Sequence, residues 1–473
     1  MLPEYLLLGL VVVAAAVALR KWRLGILLAI LVGMIQDPVR KLTPGAPPLM
    51  VLASVPVWLA VYASVMTAEG GARAALQRAY PRLSSVATLF AASLLPPTAL
   101  AFQYGVEGWQ LAVLGLFGYL SPLIAVLVGF AFARHVGDVR RLLMFYSIVS
   151  ALMLIGTPLE YLKLFPNVLA IGTDALGAHW VRYTGGGVVD LHSGFFRSPD
   201  IMGWHAAAAV MLSLALAMQG RSRTDRLWVL VAAWGGVCLL LAGRRKMTMM
   251  PIVWAACLGV ALLGSGRFKR AAALAVMAVA VLFSVYYASG EFDVHESYYV
   301  YAGTVTTEGP LRVVEDAWNS VWATYDQAGF LGLGLGAASQ GARYLTVSGA
   351  ESWQESGPSK VMAELGVPGF LCALLLAWTI AAALRATMRA GLTRGGGGVF
   401  SPPLVGFVVA NAACFTISHQ VYSDAVVLTL TSLMLGTVLG APRWAAVARP
   451  QPQSAPPAPW ARRGAAAPVQ QAG

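Results

Sequence analysis

The sequence predicts an all-α, polytopic integral membrane protein. Of its 473 residues, 58% are hydrophobic and only 11% are charged. Uncharged stretches at 48–68, 83–106 and 108–133 each reach the roughly 20 apolar residues that a membrane-spanning helix needs. Because a soluble fold does not bury so many runs of this length, the composition excludes a soluble globular protein.

Apolar runs separated by charged loops predict about 12–13 transmembrane helices. We place them near residues 5–19, 24–36, 48–66, 85–103, 110–133, 139–158, 202–219, 226–243, 247–264, 269–289, 358–384, 401–418 and 421–441. The chain then divides into N-terminal transmembrane helices (1–158), a first long outer segment (159–201), central transmembrane helices (202–289), a large outer loop (290–357), C-terminal transmembrane helices (358–441) and a Pro- and Ala-rich tail that we expect to be disordered (442–473).

Every second loop of this arrangement is basic. The positive-inside rule assigns such loops to the cytoplasm, which leaves the N-terminus outside and the C-terminus inside. The net charge of +12 is therefore mostly a topology signal. Since the cations are spread in small groups and form no stripe, we expect no nucleic-acid partner. The basic groups are Arg20/Lys21/Arg23, Arg73/Arg78/Arg82, Arg134/Arg140/Arg141, Arg221/Arg223/Arg226, Arg267/Lys269/Arg270, Arg385/Arg389/Arg394 and Arg443/Arg449/Arg462/Arg463.

A group of polar residues lies at the outer end of the helix predicted at 202–219. Ser198 and Pro199 favour a helix start, which would direct backbone amides and the positive helix end toward an anion. The simpler alternative is that Ser198 and Asp200 cap the helix while Arg197 extends to the membrane interface. The candidate site residues here are His192, Arg197, Asp200 and His205.

Three consecutive cations, Arg244, Arg245 and Lys246, lie between two predicted helices on the outer side, against the charge bias. A cation that faces lipid at depth costs about 2.5–3.5 kcal/mol. A phosphate group offsets this cost, because guanidinium groups bind phosphate oxygens through two hydrogen bonds. We interpret these cations as a phosphate-binding site, with extension of their side chains to lipid headgroups as the alternative.

The large outer loop contains its own predicted helix. Apolar residues at helical spacing behind Pro310 predict an amphipathic helix that carries Trp318 and Trp322 on its apolar face. These tryptophans are either membrane-interface anchors or a stacking surface for sugar rings. The glycine repeat at 332–336 is interpreted first as a tight loop, with a phosphate cradle as the alternative.

The end of this loop carries Glu355, Lys360 and Glu364 at the entrance of the helix predicted at 358–384. A carboxylate that is partly shielded from water can have its pKa raised into the range of a general base. A salt-bridged helix entrance is the simpler alternative. The four cysteines lie inside apolar runs without CxxC spacing, so we expect no metal site and no disulfide framework.

Four segments, in order, resemble motifs of the O-antigen ligase and polymerase family, bacterial inner-membrane glycosyltransferases that use polyprenyl-pyrophosphate-linked sugars. They span roughly 185–390. The segments are Gly194-Phe-Phe-Arg-Ser-Pro-Asp-Ile-Met-Gly at a helix start, Ala242-Gly-Arg244-Arg245-Lys246 between two helices, Gly332-Leu-Gly-Leu-Gly in the large loop, and Glu364-Leu-Gly-Val-Pro-Gly after it.

The resemblance implies a GT-C-like fold and a metal-independent, inverting glycosyl transfer at the periplasmic face of the inner membrane, without a cofactor. Ligases of the family carry a catalytic histidine shortly before the closing glutamate, and here that position is Glu355. We therefore expect Glu355 as the base, with His192 and His205 as alternatives. The remaining expected contacts are Arg244, Arg245, Lys246 and Arg197 with pyrophosphate, and Trp318, Trp322, Trp353, Asp200 and Lys360 with glycan.

The absent histidine favours a polymerase of exopolysaccharide or O-antigen repeats over a ligase that transfers glycan to a lipid A core. The resemblance also implies partners of such a pathway: the lipid-linked oligosaccharide, membrane lipids, a chain-length regulator and a flippase. A lipid-linked sugar transporter is the competing class, and would need ionisable groups within the spans and an internal repeat, neither of which the sequence displays. A scaffold of polysaccharide assembly is a third possibility.

Overall fold

The protein is a bundle of α-helices, many of them long enough to span a membrane, and its described residues include a small β-hairpin. The computed structural model describes residues 2–45, 47–164, 181–184, 187–219, 225, 227–264, 309–342, 345, 354–393 and 400–447. The helices are α1 (Leu2–Arg20), α2 (Trp22–Leu42), α3 (Val55–Ala68), α4 (Gly71–Ala79), α5 (Pro81–Ser93), α6 (Leu95–Leu100), α7 (Gly108–Phe132), α8 (Val136–Met153), α9 (Gly156–Tyr161), α10 (Pro199–Ala217), α11 (Leu227–Leu241), α12 (Arg245–Gly264), α13 (Gly309–Ala328), α14 (Gly357–Thr393), α15 (Ser401–Ile417), α16 (Ala425–Gly440) and α17 (Pro442–Val447).

Short 3₁₀ helices at Pro48–Leu52, Ala101–Tyr104 and Gln420–Ser423 complete the helical part. The hairpin pairs β1 (Val181–Thr184) with β2 (Gly187–Asp190) in antiparallel register, Val181 opposite Asp190.

The predicted fold class, an all-α polytopic membrane protein, is confirmed. Within the described part of the chain, ten helices are long and apolar enough to cross a membrane, and α11 and α15 are shorter apolar helices. These match the spans predicted from the sequence to within a few residues at most boundaries. The span predicted at 269–289 lies outside the described residues.

Two helices form the centre of the bundle. Helices α10 and α16 are buried along most of their length, whereas α1 and α14 expose many leucines and valines, as lipid-facing helices do. Helix α7 packs closely on α16, where Gly436 lies against the carbonyl oxygen of Val126 and Gly129 lies against that of Leu433. Small residues permit this approach, because helices in lipid associate mainly through close packing.

Ion pairs connect loops of one face. Arg23 contacts Asp138 at 2.8 Å, and Arg140 contacts Asp225 at 2.6 Å. Arg134 pairs with Glu69 at the same face. All of these cations belong to basic loops, which the alternating charge pattern assigns to one side of the membrane. The contacts between these loops support that assignment.

The segment assigned from the sequence to a disordered tail begins too early. Residues 442–447 form the short helix α17, and Trp444 is buried and donates its indole N–H to the carbonyl of Ala133 at 2.6 Å. A tryptophan usually finds a hydrogen-bond partner when it is buried, and this contact holds α17 against the end of α7. The tail from residue 448 lies outside the described residues.

The Gly436→Val substitution should lower thermal stability. Its side chain would overlap the carbonyl of Val126 and force α7 away from α16, and overpacking of this kind typically costs about 1–3 kcal/mol. Thermal unfolding in detergent, followed by tryptophan fluorescence, measures the effect. Gly118→Val on α7 is the matched control, since an added Cβ there meets open space. Equal melting temperatures for the two variants would contradict this packing.

Candidate functional site

Polar and charged residues from several helices converge at the face opposite to the basic loops, which we name the site face. It carries the end of α2 and the starts of α10, α12, α14 and α16. The connection between α15 and α16, residues 418–424, lies at its centre and is named the 418–424 turn. Because four long helices begin at this face, their positive ends add to its potential for anions.

Arg197 joins three helices through buried ion pairs. Its guanidinium lies 2.7 Å from Asp424 and 3.4 Å from Asp37, and its backbone N–H donates to Asp37 at 3.1 Å. Asp424 uses its other oxygen to cap α16, accepting from Val426 and Val427 at 2.8 and 2.9 Å. Burial opposes the charge of Arg197, but the two carboxylates outweigh it and raise the Arg197 pKa. This arginine is therefore a fixed cation that ties α2 to α10 and α16.

The start of α10 forms as the sequence predicts. The Ser198 hydroxyl accepts from the N–H of Ile201 at 3.3 Å, with Pro199 in the first turn. In the same turn, Asp200 lies 3.1 Å from Arg244 and 3.2 Å from Lys246. We name Arg244, Lys246 and Asp200 the cation cluster. Two cations meet at one carboxylate here, whereas one cation meets two carboxylates at Arg197.

The 418–424 turn links the cation cluster to α14. Lys246 donates to Ser418 at 2.7 Å and to Gln420 at 3.4 Å. His419, the next residue, donates its backbone N–H to the carbonyl of Glu355 at 2.9 Å, and its Nδ1 lies 3.2 Å from the same carbonyl. Glu355 thus contacts the site through its backbone, while its side chain is exposed.

Lys360 and Glu364 form the salt bridge that the sequence allows, at 3.0 Å across one turn of α14. Glu364 is fully buried and also accepts from the backbone of Ala338 at 3.1 Å and from Ser339 at 3.0 Å. The glycine repeat before Ala338 is a tight loop, as first interpreted. Gly336 has a φ of 84° and packs against the backbone of α7, where a Cβ would not fit.

Helix α14 is broken at Gly366, where φ is 63° and ψ is −169°. A side chain at this position would overlap the carbonyl of Phe330. Only glycine therefore allows the tight loop at 332–336, which we name the glycine loop, to reach α14. The break sets the first turns of α14, with Lys360 and Glu364, apart from the lipid-facing remainder of the helix.

The structure places the two other predicted base candidates in different surroundings. His205 is buried in α10, stacked on Phe196 with ring centroids 4.9 Å apart, and its Nδ1 lies 2.8 Å from the Tyr146 hydroxyl. His192 is half-buried beside α9, where its Nδ1 lies 3.7 Å from Glu160. Their role as bases stays a prediction.

The predicted amphipathic helix is α13. Val321 and Thr324 are buried, whereas Trp318 and Trp322 are 64% and 56% exposed. The two indoles meet edge to face, with ring centroids 5.9 Å apart, and so form an exposed aromatic surface. Trp353, the third predicted aromatic contact, lies outside the described residues. Arg245 is half-buried at the start of α12, next to the cation cluster.

Sequence reasoning missed Asp37, Asp424 and His419 as site residues. Asp424 directly precedes an apolar helix and therefore carries an N-cap signal, but its pairing with Arg197, more than 200 positions away, has no local signature. The described residues contain no group of three His, Cys, Asp or Glu side chains arranged to hold a metal ion. The four cysteines are free thiols.

The fold and this face define a multi-pass membrane protein with a polar, partly buried, cation-rich site at the ends of its helices. Comparison with protein-family models and with curated proteins finds no match. The function is therefore argued from the site itself.

The Arg197→Met substitution should strongly destabilise the protein. It would leave Asp37 and Asp424 buried without their cation, and removal of one partner of a buried ion pair typically costs about 3–5 kcal/mol. The melting temperature of the detergent-purified protein measures the loss. Arg141→Met is the matched control, because Arg141 is 81% exposed and its contact with Asp138 is long, at 3.5 Å. Its effect should stay below about 1 kcal/mol, and a comparable loss in both variants would contradict the role of Arg197.

Proposed function

We propose that this protein transfers glycan from a polyprenyl-pyrophosphate-linked donor and polymerises exopolysaccharide or O-antigen repeat units. The observation that carries the proposal is the cation cluster, in which Arg244 and Lys246 both lie against Asp200 at the start of two helices. A pair of cations beside helix N-termini is suited to a phosphate dianion.

The position of the cluster suits a lipid-linked substrate. Lys246 and Asp200 lie in the first turns of α12 and α10, both of which continue as apolar helices. A pyrophosphate bound there would sit at the membrane boundary, so its polyprenyl tail could stay in lipid while the glycan extends into water. A soluble sugar nucleotide would gain nothing from this placement.

Arg244 and Lys246, with Arg245 beside them, are the proposed pyrophosphate ligands. Arg197 was included from the sequence, but its two carboxylate partners already compensate its charge. We assign it to positioning α10, which holds Asp200 and hence the cluster. Asp200 in turn aligns the cations, and we assign it no direct glycan contact.

The proposed reaction is metal-independent and inverting. A hydroxyl of the acceptor glycan attacks the anomeric carbon of the donor, the bond to the phosphate oxygen breaks, and pyrophosphate leaves with the electron pair. The cations stabilise the negative charge that develops on the leaving group, as positioned charges do in other transferases. A proton acceptor at the same face completes the step, and Glu355 is the sequence candidate that contacts the 418–424 turn.

The aromatic surface of α13 is the proposed glycan platform. Trp318 and Trp322 extend from the side of α13 that is not packed on the bundle. Because indole rings are flat, rigid and partly polar, they offer stacking area to sugar rings at the membrane surface. Lys360, which is paired with Glu364 in the first turns of α14, would lie beside the glycan that stacks on this surface.

We assign the protein to the bacterial inner membrane with the site face in the periplasm, since the opposite face holds the basic loops. A polymerase and a lipid A core ligase share the proposed chemistry and differ in acceptor. A transporter or scaffold would not require the cation cluster for glycan synthesis, so the cluster discriminates between the classes.

Arg244→Ala and Lys246→Ala should each abolish long-chain glycan while protein levels stay normal, because the leaving pyrophosphate loses a stabilising charge. The measurement is the chain-length profile of surface and secreted glycan in a deletion strain that carries each variant. Arg141→Ala, an exposed cation of the opposite face, is the control and should restore full chain length.

Single unpolymerised repeats in the cluster variants are the result expected of a polymerase. Long chains stranded on the carrier lipid would identify a ligase instead. Unchanged glycan in both variants would refute glycosyl transfer at this site.

The Trp318→Ala/Trp322→Ala double variant should shorten the glycan at unchanged thermal stability, because both side chains are mostly exposed and only stacking is lost. A nucleobase stacked on an aromatic ring typically gains about 1–3 kcal/mol, and a sugar contact at the lower end of this range predicts a several-fold fall in elongation. Normal chain length together with weaker membrane association would assign these residues to interface anchoring.

A further inference from the structure

His419 carries a buried hydrogen-bond acceptor that the described residues leave unused. Its side chain is 1% exposed. Since the Glu355 carbonyl only accepts, we assign the hydrogen of the neutral ring to Nδ1, 3.2 Å from that carbonyl, so that Nε2 carries the lone pair. No described group is hydrogen-bonded to this Nε2. Buried polar atoms are ordinarily paired. A ligand hydroxyl that donates to Nε2 of His419 would supply the missing partner.

The ring lies among the cations of the site. The preceding residue, Ser418, accepts from Lys246, and the charges of Lys246 and Lys360 both act on the imidazole. The carbonyls of Glu355 and Ala338 also face it. Elements from α12, α14, the glycine loop and the 418–424 turn thus surround one histidine, and Lys246, a proposed pyrophosphate ligand, is close enough for its charge to act on the ring.

We propose that Nε2 of His419 takes the proton from the attacking hydroxyl of the acceptor glycan, an inference that rests on the proposed glycosyl transfer. As the hydroxyl oxygen bonds to the anomeric carbon, its proton passes to Nε2 and the pyrophosphate leaves with the electrons of the broken bond. The imidazolium that forms keeps its Nδ1–H on the Glu355 carbonyl. Glu355 then acts through its backbone and orients the ring.

The charges around His419 make its pKa depend on whether the glycan donor is bound. Burial, together with the positive charges of Lys360 and Lys246, lowers the pKa of His419 to about 3, against the opposing effect of the two carbonyls. The ring is therefore neutral in the free protein at ordinary pH. A bound pyrophosphate would offset both lysine charges and raise the pKa, which strengthens the base only when the donor is in place.

The test compares His419→Asn with the wild type in permeabilised cells of the deletion strain, by the initial rate of long-chain glycan formation. The asparagine amide can keep the hydrogen bond to the Glu355 carbonyl but has no Nε2 lone pair. General-base loss typically costs about 100-fold or more in rate. Binding of undecaprenyl pyrophosphate to the purified variant should stay within about twofold of wild type, and added imidazole should restore part of the rate to His419→Ala. His135→Asn on the opposite face is the control.

Three results would overturn the assignment of His419. They are a wild-type rate in His419→Asn, loss of undecaprenyl pyrophosphate binding in that variant, and failure of imidazole to restore His419→Ala. A rate loss in Glu355→Gln with an active His419→Asn would identify Glu355 as the proton acceptor. Failure of the wild type itself to restore glycan would refute the proposed function instead, so the two failures are distinguishable.

Discussion

The buried ion pairs of Arg197 with Asp37 and Asp424 are the interaction on which the site face depends. They fix the end of α2, the start of α10 and the start of α16 relative to one another. A charged group buried at the end of a membrane helix is unfavourable without partners, so the three side chains must stay together. Asp200 lies one turn from Arg197, and its position beside Arg244 and Lys246 follows from this arrangement.

The 418–424 turn transmits that constraint to the rest of the site. It holds Asp424 at one end and Ser418, bound to Lys246, at the other. His419 between them is attached to the Glu355 carbonyl at the entrance of α14. A single short connection therefore fixes the position of the proposed donor site relative to the proposed proton acceptor. The break at Gly366 lets the glycine loop approach α14.

Much of the local structure could be predicted from the sequence. Ser198 and Pro199 mark the start of α10, Lys360 and Glu364 pair across one helical turn, and the residues after Pro310 form a helix. Each depends on neighbours within about four positions, where helix geometry alone decides which side chains meet. The burial of Trp444 was not predicted, because its partner, the carbonyl of Ala133, is distant in sequence.

The sequence by itself determined the class of protein, the approximate spans and the grouping of its charges onto two faces, because each follows from the length and polarity of continuous segments. Only the tertiary structure decided which of the outer charges compensate one another. Arg197 and Arg244 are equivalent as cations before a helix, yet Arg197 lies between Asp37 and Asp424, whereas Arg244 meets Lys246 at Asp200. That difference, and the unused nitrogen of His419, arise from contacts between helices far apart in the chain, where the sequence carries no periodic signal.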